Sequence, residues 1–330
     1  MNKKIFMTGG AGFIGTALIR RLIDDNKIVV YDTLHRNALG EAGLLKHPNI
    51  TLIRGDVLDE EKLKKAIKNS NVILHLAAIA GIDTVIKSPT TTMQVNMIGT
   101  YNVLKAAMTL DKVERFIDFS TSEVYGSYAY KLEERDDTKM GAVGEARWTY
   151  AISKLAGEHL AHSYYKEFGL PAISIRPFNI YGPGQVGEGA IHAFVTRALK
   201  NENIHITGDG DQIRSWCYID DIVDAIMLCM DKKEAVGEVF NIGNPKGTLT
   251  ILSLAEKIAE LCETKSKILF KAKSYVDVKL RIPDIEKAKR ILGYKPVVDL
   301  DDGLKRTIEW YKIKMKNKIR NMKKQRTVNA

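Results

Sequence analysis

The stretch Ile5-Phe6-Met7-Thr8-Gly9-Gly10-Ala11-Gly12-Phe13-Ile14-Gly15 decides the fold of this chain. Its apolar run predicts a buried strand, and the apolar periodicity after the glycine-rich turn predicts a helix over 13–24. Gly9 permits a tight turn, Gly12 lets the backbone approach a diphosphate, and Gly15 lets the helix pack close to the strand. Because unpaired N–H groups at a helix start bind anions, the stretch indicates a dinucleotide-binding turn.

The next predicted strand ends in a carboxylate that bears on which dinucleotide is bound. Val29-Val30-Tyr31-Asp32 follows the first helix, and Asp32 stands at the sequence distance expected of a ribose ligand. A carboxylate there accepts hydrogen bonds from the adenine ribose 2′- and 3′-hydroxyls and repels a 2′-phosphate. The sequence therefore predicts NAD rather than NADP as the cofactor.

The composition is that of a globular protein with room for a large core. The chain has 330 residues, of which 45% are hydrophobic, enough for one large domain or two joined ones. No apolar run approaches the ~18 residues that a membrane helix needs, and Met1-Asn2-Lys3-Lys4 leads straight into a strand, so we expect neither membrane insertion nor a signal peptide. Cys217, Cys229 and Cys262 show no CxxC spacing and fit a reducing cytoplasm.

The positive charge is concentrated at the C-terminus. The formal net charge is +10, and residues 312–330 contain eight basic residues and no acid. The rest of the chain is therefore close to neutral, which argues against a nucleic-acid partner. We expect 313–330 to be a basic tail in which a frayed helix end runs into a solvated, disordered segment.

Short apolar runs alternate with helical periodicity through the first half of the chain. Strands are predicted over 4–8, 28–31, 50–53, 72–76, 115–119 and 172–176, and helices over 13–24, 60–69, 92–110 and 148–168. This alternation predicts an α/β fold, a doubly wound parallel sheet with helices on both faces.

The pattern loosens after Pro177. A strand over 239–242 and helices near 188–200, 250–262, 284–291 and 300–312 are predicted. We therefore divide the chain into a nucleotide-binding domain over 1–178, a substrate-binding region over 179–312 with segments near 212–245 that return to the sheet, and the basic tail over 313–330.

Two groups of polar residues suggest catalysis at the carboxyl edge of this sheet. The first is Ser120-Thr121-Ser122-Glu123, which directly follows the predicted strand over 115–119. The second is Tyr150 and Lys154, which lie four residues apart on one face of a predicted helix. Because an ammonium beside a phenol lowers the phenol pKa, we expect Lys154 to make Tyr150 a usable base near neutral pH.

Taken together, these motifs resemble those of extended short-chain dehydrogenases/reductases in the nucleotide-sugar epimerase/dehydratase family. The resemblance covers about residues 3–312 and rests on the glycine turn, Asp32, Asp56, Leu76-Ala77-Ala78, Asn96, Thr121-Ser122-Glu123-Val124-Tyr125-Gly126, Tyr150 with Lys154, Arg176-Pro177-Phe178-Asn179-Ile180-Tyr181-Gly182-Pro183 and the block around Arg214. It implies a Rossmann-type domain with a smaller C-terminal substrate-binding region, bound NAD, a nucleotide-diphosphate sugar as substrate, and a homodimer. The dimer would form through the apolar stripes of helices 92–110 and 148–168.

The resemblance also implies individual roles. Tyr150 takes the proton of the sugar 4-hydroxyl while hydride leaves C4 for the nicotinamide, Thr121 hydrogen-bonds the same oxygen, and Lys154 holds the nicotinamide ribose. The cofactor-binding positions are Gly9, Gly12, Phe13, Ile14, Gly15, Asp32, Asp56, Val57, Leu76, Ala77, Ala78, Asn96, Tyr150 and Lys154. The positions that bind the substrate diphosphate are Asn179, Arg214 and Arg281.

Simpler roles compete with some of these assignments. Asp56 would serve equally as the N-cap of the helix predicted near residue 59, and Arg214 and Arg281 would serve as surface salt bridges. His159 and His162 lie three residues apart in the predicted helix over 148–168, but nothing completes a metal ligand set. We expect no bound metal.

The step after C4 oxidation depends on the residues beside C5 and C6. Thr121-Ser122-Glu123 resembles UDP-glucuronate decarboxylases and GDP-mannose 4,6-dehydratases, and Arg147-Trp148-Thr149-Tyr150 resembles the decarboxylases. Ser122 stands where thymidine-diphosphoglucose dehydratases carry an acid. We expect Thr121, Ser122, Glu123, Tyr150 and Lys154 to be catalytic, with Glu123 on an extended segment that points it to the Thr121 side.

The sequence is compatible with four functions, which it favours to different degrees. The first is decarboxylation of a nucleoside-diphosphate hexuronate, the second 4,6-dehydration and the third 4-epimerisation. A non-catalytic NAD sensor or scaffold is a fourth hypothesis, which the presence of Thr121, Tyr150 and Lys154 disfavours.

Overall fold

The computed structural model describes residues 2–272 and 275–328 of the chain. The strands are β1 Lys4–Thr8, β2 Lys27–Asp32, β3 Ile50–Arg54, β4 Val72–His75, β5 Arg115–Phe119, β6 Tyr128–Leu132, β7 Ala172–Pro177, β8 Ile180–Tyr181, β9 Ile204–Thr207, β10 Ile213–Ser215, β11 Cys217–Tyr218, β12 Val239–Ile242, β13 Thr248–Thr250, β14 Ile268–Lys271 and β15 Leu280–Pro283. The α-helices are α1 Phe13–Leu22, α2 Ala38–Glu41, α3 Glu60–Ala66, α4 Ile82–Lys87, α5 Pro89–Met93, α6 Gly99–Ala107, α7 Thr149–Phe168, α8 Ala190–Leu199, α9 Ile219–Asp231, α10 Ile251–Cys262, α11 Glu286–Leu292 and α12 Leu300–Val328. None of the described helices is both long and apolar enough to cross a membrane.

Seven parallel strands form the central sheet in the order β3-β2-β1-β4-β5-β7-β12. Strand β1 pairs with β2 on one side and with β4 on the other. The strand order reverses at this point, and open α/β sheets bind ligands at the carboxyl edge beside such a reversal. The predicted doubly wound fold is confirmed, and each of the six strands predicted in the first half is present.

Both faces of the sheet are covered by helices. On β1, Ile5 and Met7 belong to one buried cluster, which also contains Leu18 of α1 and Ile222 of α9. Phe6 points the other way, into a cluster formed with α3, α6 and α7. Burial on both faces explains why these strands are continuous apolar runs rather than alternating ones.

The predicted helix over 92–110 is not one regular α-helix. It consists of α5, a π-helical turn over Gln94–Ile98, and α6. Within the π-helical turn, Asn96 is fully buried and its amide is hydrogen-bonded to Ile79 and Ser153. Single π-helical turns of this kind frequently occur at functional sites.

A second sheet, called the cap here, has four strands. Its strands lie in the order β13-β10-β15-β6, and β6 comes from the segment just after β5 rather than from the C-terminal region. Conversely, β12 returns to the central sheet beside β7, with Phe240 opposite Ile175. The division of the chain at residue 178 stays a prediction.

The C-terminal helix is longer than predicted. The expectation of a disordered basic segment is wrong, since α12 continues to Val328. Residues 304–328 contain neither glycine nor proline and are rich in Lys, Arg and Met, which favour helix. The first part of the helix is anchored by the buried side chains of Leu304, Ile308 and Tyr311.

A buried charged pair ties α7 to the sheet. Arg176 of β7 donates from Nε and Nη2 to the carboxylate of Glu158 at 3.0 and 2.5 Å, and from Nη1 to the Tyr125 hydroxyl at 2.6 Å. All three side chains are buried. Each member of the pair therefore depends on the other to offset its lost hydration.

Removing one partner should be costly. We expect Glu158→Ala to lower the free energy of unfolding by about 3–5 kcal/mol, because Arg176 would stay buried without a counter-ion. The matched control is Asp301→Ala, which breaks the exposed pair with Lys257 and should cost under about 1 kcal/mol. Denaturant unfolding measures both, and equal losses would show that the buried pair contributes no more than a surface one.

Candidate active site

The glycine turn at the end of β1 is shaped by close backbone packing. Gly9 has φ +67°, and a Cβ there would lie 2.5 Å from the Ala77 backbone nitrogen. A Cβ on Gly15 would lie 2.6 Å from Gly10 Cα, so only glycine lets α1 start this close to the turn. Gly12 precedes α1 without a side-chain cap, which leaves the helix's first N–H groups, from Phe13 and Ile14 onward, free to bind an anion.

Asp32, the last residue of β2, is hydrogen-bonded to the backbone of this turn. Its carboxylate accepts hydrogen bonds from the backbone N–H groups of Ala11 at 3.0 Å and Leu34 at 2.7 Å. Burial raises the pKa of Asp32, and these two hydrogen bonds oppose the rise. A carboxylate oxygen accepts more than one hydrogen bond, so acceptor capacity remains for ribose hydroxyls.

Asp56 is not the N-cap of the following helix. Asp59 caps α3 by accepting from the Lys62 N–H at 3.0 Å, whereas Asp56 accepts from the Leu58 N–H at 3.0 Å within its own turn. Val57 between them is buried, and its carbonyl accepts from Asn102 at 3.0 Å. The capping alternative is therefore wrong, and a contact of Asp56 with the adenine stays a prediction.

The segment after β4 is hydrogen-bonded to the end of β1. Leu76 N–H donates to the Thr8 carbonyl and Ala77 N–H to the Thr8 hydroxyl, while Ala78 follows with a small side chain. Behind this segment, the Asn96 amide accepts from Ile79 N–H at 2.7 Å and donates to Ile79 O at 3.0 Å. Asn96 therefore fixes the loop from behind, and its amide is already engaged.

Tyr150 lies in the first turn of α7, within hydrogen-bonding reach of Thr121 at the end of β5. Burial and the charge of Glu123 raise the Tyr150 pKa to about 12, while the Thr121 hydrogen bond, Arg281 and Arg147 act in the opposite direction. The Lys154 ammonium lies beside Asp118, with Nζ 3.9 Å from Oδ1. Its effect on the Tyr150 pKa stays a prediction.

Glu123 does not lie on an extended segment. The chain turns into a 3-10 helix over Ser122–Tyr125, and the Thr121 hydroxyl caps that turn by accepting from the Glu123 N–H at 3.2 Å. The expectation of an extended segment is therefore wrong, because the hydroxyl cap bends the chain immediately after β5. Glu123 nevertheless lies near enough to Tyr150 to act on its pKa, as Thr121 does. Ser122 is buried in the turn.

The Glu123 carboxylate is bound by two arginines. Arg147 donates from both terminal nitrogens to its two carboxylate oxygens, and Arg281 Nη1 lies 3.3 Å from Oε1. Burial raises the Glu123 pKa, but Arg281 and Arg147 outweigh it and lower the pKa to about 2. Glu123 is therefore ionised at neutral pH.

Arg214 completes a cluster of three buried arginines. Its Nη2 donates to the Val278 carbonyl at 2.6 Å and lies 3.5 Å from Asp277 Oδ1. Arg214 and Arg281 are only 8% and 3% exposed, so the surface-salt-bridge alternative is wrong for both. Their contact with a substrate diphosphate stays a prediction.

Asn179 lies between β7 and β8. It has φ +40° and donates from its amide to the Ser215 carbonyl at 2.9 Å. Its role toward the diphosphate also stays a prediction. Among the described residues, no group of three or more His, Cys, Asp or Glu side chains is arranged to hold a metal ion.

Sequence reasoning missed Arg147 as a site residue and Glu188 as a cap contact. Arg147 was visible only as part of the Arg147-Trp148-Thr149-Tyr150 motif. Glu188 accepts from the N–H and hydroxyl of Thr84 at 3.2 and 2.6 Å, and no local pattern signals a contact across 104 residues.

The family model that describes the NAD dependent epimerase/dehydratase family matches residues 5–243. The chain belongs to this family. It is an NAD-dependent enzyme of the nucleotide-sugar decarboxylase, dehydratase and epimerase class, as the motifs predicted. The predicted cofactor, NAD, is confirmed, and the open N–H groups of α1 and the Asp32 carboxylate suit it.

Relatives within the family catalyse different reactions. The chain is 34% identical to a UDP-N-acetyl-alpha-D-glucosaminuronate decarboxylase of Bacillus cytotoxicus, covering 94% of this chain and 98% of the relative. It is 30% identical to dTDP-glucose 4,6-dehydratase 1 of Escherichia coli, over 93% and 92% of the two chains. The structure of a UDP-glucuronic acid 4-epimerase from Bacillus cereus, in complex with UDP-glucuronic acid and NAD, superimposes with a TM-score of 0.85 at 31% identity, over 94% and 99% of the chains.

The choice between NAD and NADP should depend on Asp32. We expect Asp32→Ala to bind NAD about 10- to 100-fold more weakly, since hydrogen bonds to a charged group contribute about 1.5–3 kcal/mol. Discrimination against NADP should relax at the same time. Calorimetric titration with both cofactors measures this, with Asp59→Ala as control because it removes only a helix cap. Equal affinity of the unaltered protein for NAD and NADP would contradict the assignment.

Proposed function

We propose that the chain decarboxylates a nucleoside-diphosphate hexuronate after transient oxidation at C4. The observation that carries this is the pinning of Glu123 between Arg147 and Arg281. An ionised carboxylate with a pKa of about 2 is a poor base for the C5 proton at neutral pH. Decarboxylation of a 4-keto uronate needs no such base.

The charge of the cluster also favours a uronate. Among residues 2–272 and 275–328, the guanidinium groups of Arg147, Arg214 and Arg281 outnumber the two carboxylates that they pair with, those of Glu123 and Asp277. A guanidinium binds a carboxylate through two parallel hydrogen bonds. Both terminal nitrogens of Arg147 already donate to Glu123, but its buried Nε has no partner in the described part of the chain. We assign this free edge of Arg147 to the C6 carboxylate, with Glu123 holding the guanidinium in place.

C4 oxidation uses Tyr150 and Thr121. NAD, when bound, accepts hydride from C4 and later returns it. Thr121 holds the C4 oxygen and Tyr150 receives its proton, for which the phenol pKa has to fall from about 12. Lys154, one helical turn further along α7, supplies positive charge that Glu123 does not neutralise.

The carbon–carbon bond breaks next. The C5–C6 bond releases carbon dioxide, and its electron pair enters the C4 ketone to form an enolate. A proton from solvent is then added at C5 and the ketone is restored. C4 regains its hydride while its oxygen takes back the proton held by Tyr150. The overall reaction is redox-neutral, so the cofactor is recycled in each turnover.

The alternatives make different demands on the same residues. A 4,6-dehydratase needs Glu123 to remove the C5 proton, which its ion pairs oppose. A 4-epimerase needs the ketone to turn over and has no use for Glu123. A non-catalytic NAD sensor does not require a Thr121 hydroxyl beside Tyr150.

A panel of nucleotide sugars decides between these reactions. The purified protein is mixed with UDP-glucuronate, UDP-N-acetylglucosaminuronate and the corresponding neutral sugars, and the products are followed by mass. We expect loss of carbon dioxide from a hexuronate. Loss of water from a neutral sugar, or a product of unchanged mass, would contradict the proposal.

Variants of Glu123 and Tyr150 should affect different stages of the reaction, namely loss of carbon dioxide and oxidation at C4. We expect Glu123→Gln to retain NAD reduction but to lose carbon dioxide more slowly, because Arg147 is no longer held. Tyr150→Phe should stop NAD reduction itself, by about 10²–10⁴-fold, with NAD binding unchanged. Absorbance of the reduced nicotinamide and product mass report the two stages. A Glu123→Gln variant that fails to reduce NAD would show that Glu123 acts in the first stage.

We also propose a homodimer formed through α6 and α7. The face made by these helices and the preceding π-helical turn exposes the large apolar side chains of Ile98, Tyr101, Met108, Ile152 and Phe168, each 37–57% accessible. Val103 and Leu104 of α6 lie on the opposite side of the helix from this face, in a buried cluster with strands of the sheet. Two copies of this face would form a four-helix bundle.

Light scattering tests the dimer. We expect a dimer at micromolar concentration and a monomer for the double variant Ile98→Asp/Ile152→Asp, because a charge in an apolar interface is strongly unfavourable. Val297→Asp, at an exposed apolar position outside this face, is the control and should remain dimeric. A monomeric unaltered protein would contradict the proposal.

A further inference from the structure

Asp118 is the one feature of the site that the proposed reaction leaves unused. It lies in β5, three residues before Thr121, and is fully buried. Neither of its carboxylate oxygens has a hydrogen-bond partner among residues 2–272 and 275–328. A buried carboxylate without hydrogen bonds is expensive to maintain, so its presence needs a reason.

Other buried acids of the chain are well supplied with donors. Asp32 accepts from two backbone N–H groups, Asp221 accepts from the N–H groups of Val297 and Val298, and Glu158 accepts twice from Arg176. Asp118 has instead an ammonium, Lys154 Nζ, at 3.9 Å. The contrast indicates that Asp118 serves Lys154 rather than the fold.

The neighbours of Asp118 leave Lys154 as its counter-ion. His75 is its register partner on β4, and the imidazole hydrogen-bonds Thr8 and Thr100. Burial and Lys154 hold the His75 pKa well below its usual value, so the ring is neutral. Ser174 faces Asp118 from β7, and Glu158 on α7 is already paired with Arg176.

The pairing is reciprocal. Lys154 is itself 1% exposed, and Asp118 is the carboxylate within ion-pair distance of it in the described part of the chain. A buried ammonium without a carboxylate beside it readily gives up its proton. The positive charge that the reaction needs beside Tyr150 therefore depends on Asp118.

We propose that Asp118 is a positioning residue for C4 oxidation. It keeps the Lys154 ammonium charged and fixed in the core, one helical turn along α7 from Tyr150. The proposal rests on the proposed roles of Tyr150 and Lys154 and is independent of what happens at C6. It applies equally to decarboxylation, dehydration and epimerisation, because all begin with C4 oxidation.

The arrangement makes the first step sensitive to acid. Burial raises the Asp118 pKa to about 6, with Lys154 lowering it and Glu158 raising it. As the pH falls through this value, the carboxylate becomes neutral and Lys154 loses its counter-ion. The rate of NAD reduction and the affinity for NAD should therefore both be at their maximum above about pH 6 and decline below it.

The test compares Asp118→Asn with the unaltered protein. NAD reduction in a single turnover, and NAD affinity measured by titration without substrate, are each followed from pH 5 to 9. We expect Asp118→Asn to reduce NAD about 10²-fold more slowly at pH 8, at the low end of losses seen for acid–base groups, and to lack the acid decline. NAD affinity should fall about tenfold and become independent of pH in the same range.

Controls separate this role from a structural one. Asp221→Asn alters a buried carboxylate that has two backbone donors and should retain the acid decline, and Asp118→Glu should recover it. An Asp118→Asn variant with an unchanged rate, or a lower rate that still declines below pH 6, overturns the proposal. If Asp118→Asn does not fold, the pH dependence of NAD affinity is measured on the unaltered protein instead. An NAD affinity that is constant from pH 5 to 8 overturns the proposal. Neither result depends on which product the sugar panel yields.

Discussion

The ion pairs that Glu123 makes with Arg147 and Arg281 hold the site together, because they join three parts of the fold. Glu123 follows β5 of the central sheet, Arg147 immediately precedes α7, and Arg281 belongs to β15 of the cap. Arg281 also reaches the Gly126 carbonyl at 3.3 Å. Since unpairing one member of a buried ion pair costs about 3–5 kcal/mol, the cluster fixes the catalytic helix and the cap relative to the sheet edge.

Glu123 raises the Tyr150 pKa, whereas Arg281 and Arg147 lower it. In the proposed reaction, the charges beside C5 and C6 would therefore also tune the base at C4. An ionised, doubly bound Glu123 would hold its arginines in place rather than take up protons. A scaffold shared by decarboxylases, dehydratases and epimerases can thus be biased toward one outcome by how a single carboxylate is paired.

The fold could be predicted from the sequence because its signals are local. Strands buried on both faces are continuous apolar runs, and Gly9, Gly15 and Asp32 occupy positions that backbone packing and hydrogen bonding require. The errors arose where side-chain contacts override local pattern. The turn at Glu123 depends on the hydroxyl of Thr121, two residues before it, and the partner Arg281 lies 158 residues away. The contact of Lys154 in α7 with Asp118 in β5 was not predicted, because nothing local signals it.

A hexuronate substrate that carries deuterium at C5 tests directly whether a base acts at that carbon. The product is analysed by mass and by nuclear magnetic resonance. We predict that the deuterium stays on C5 while carbon dioxide is lost and one solvent hydrogen is added there. Release of the deuterium to water before or instead of carbon dioxide loss would show that the C5 proton is removed, and would contradict the role given to Glu123 and its two arginines.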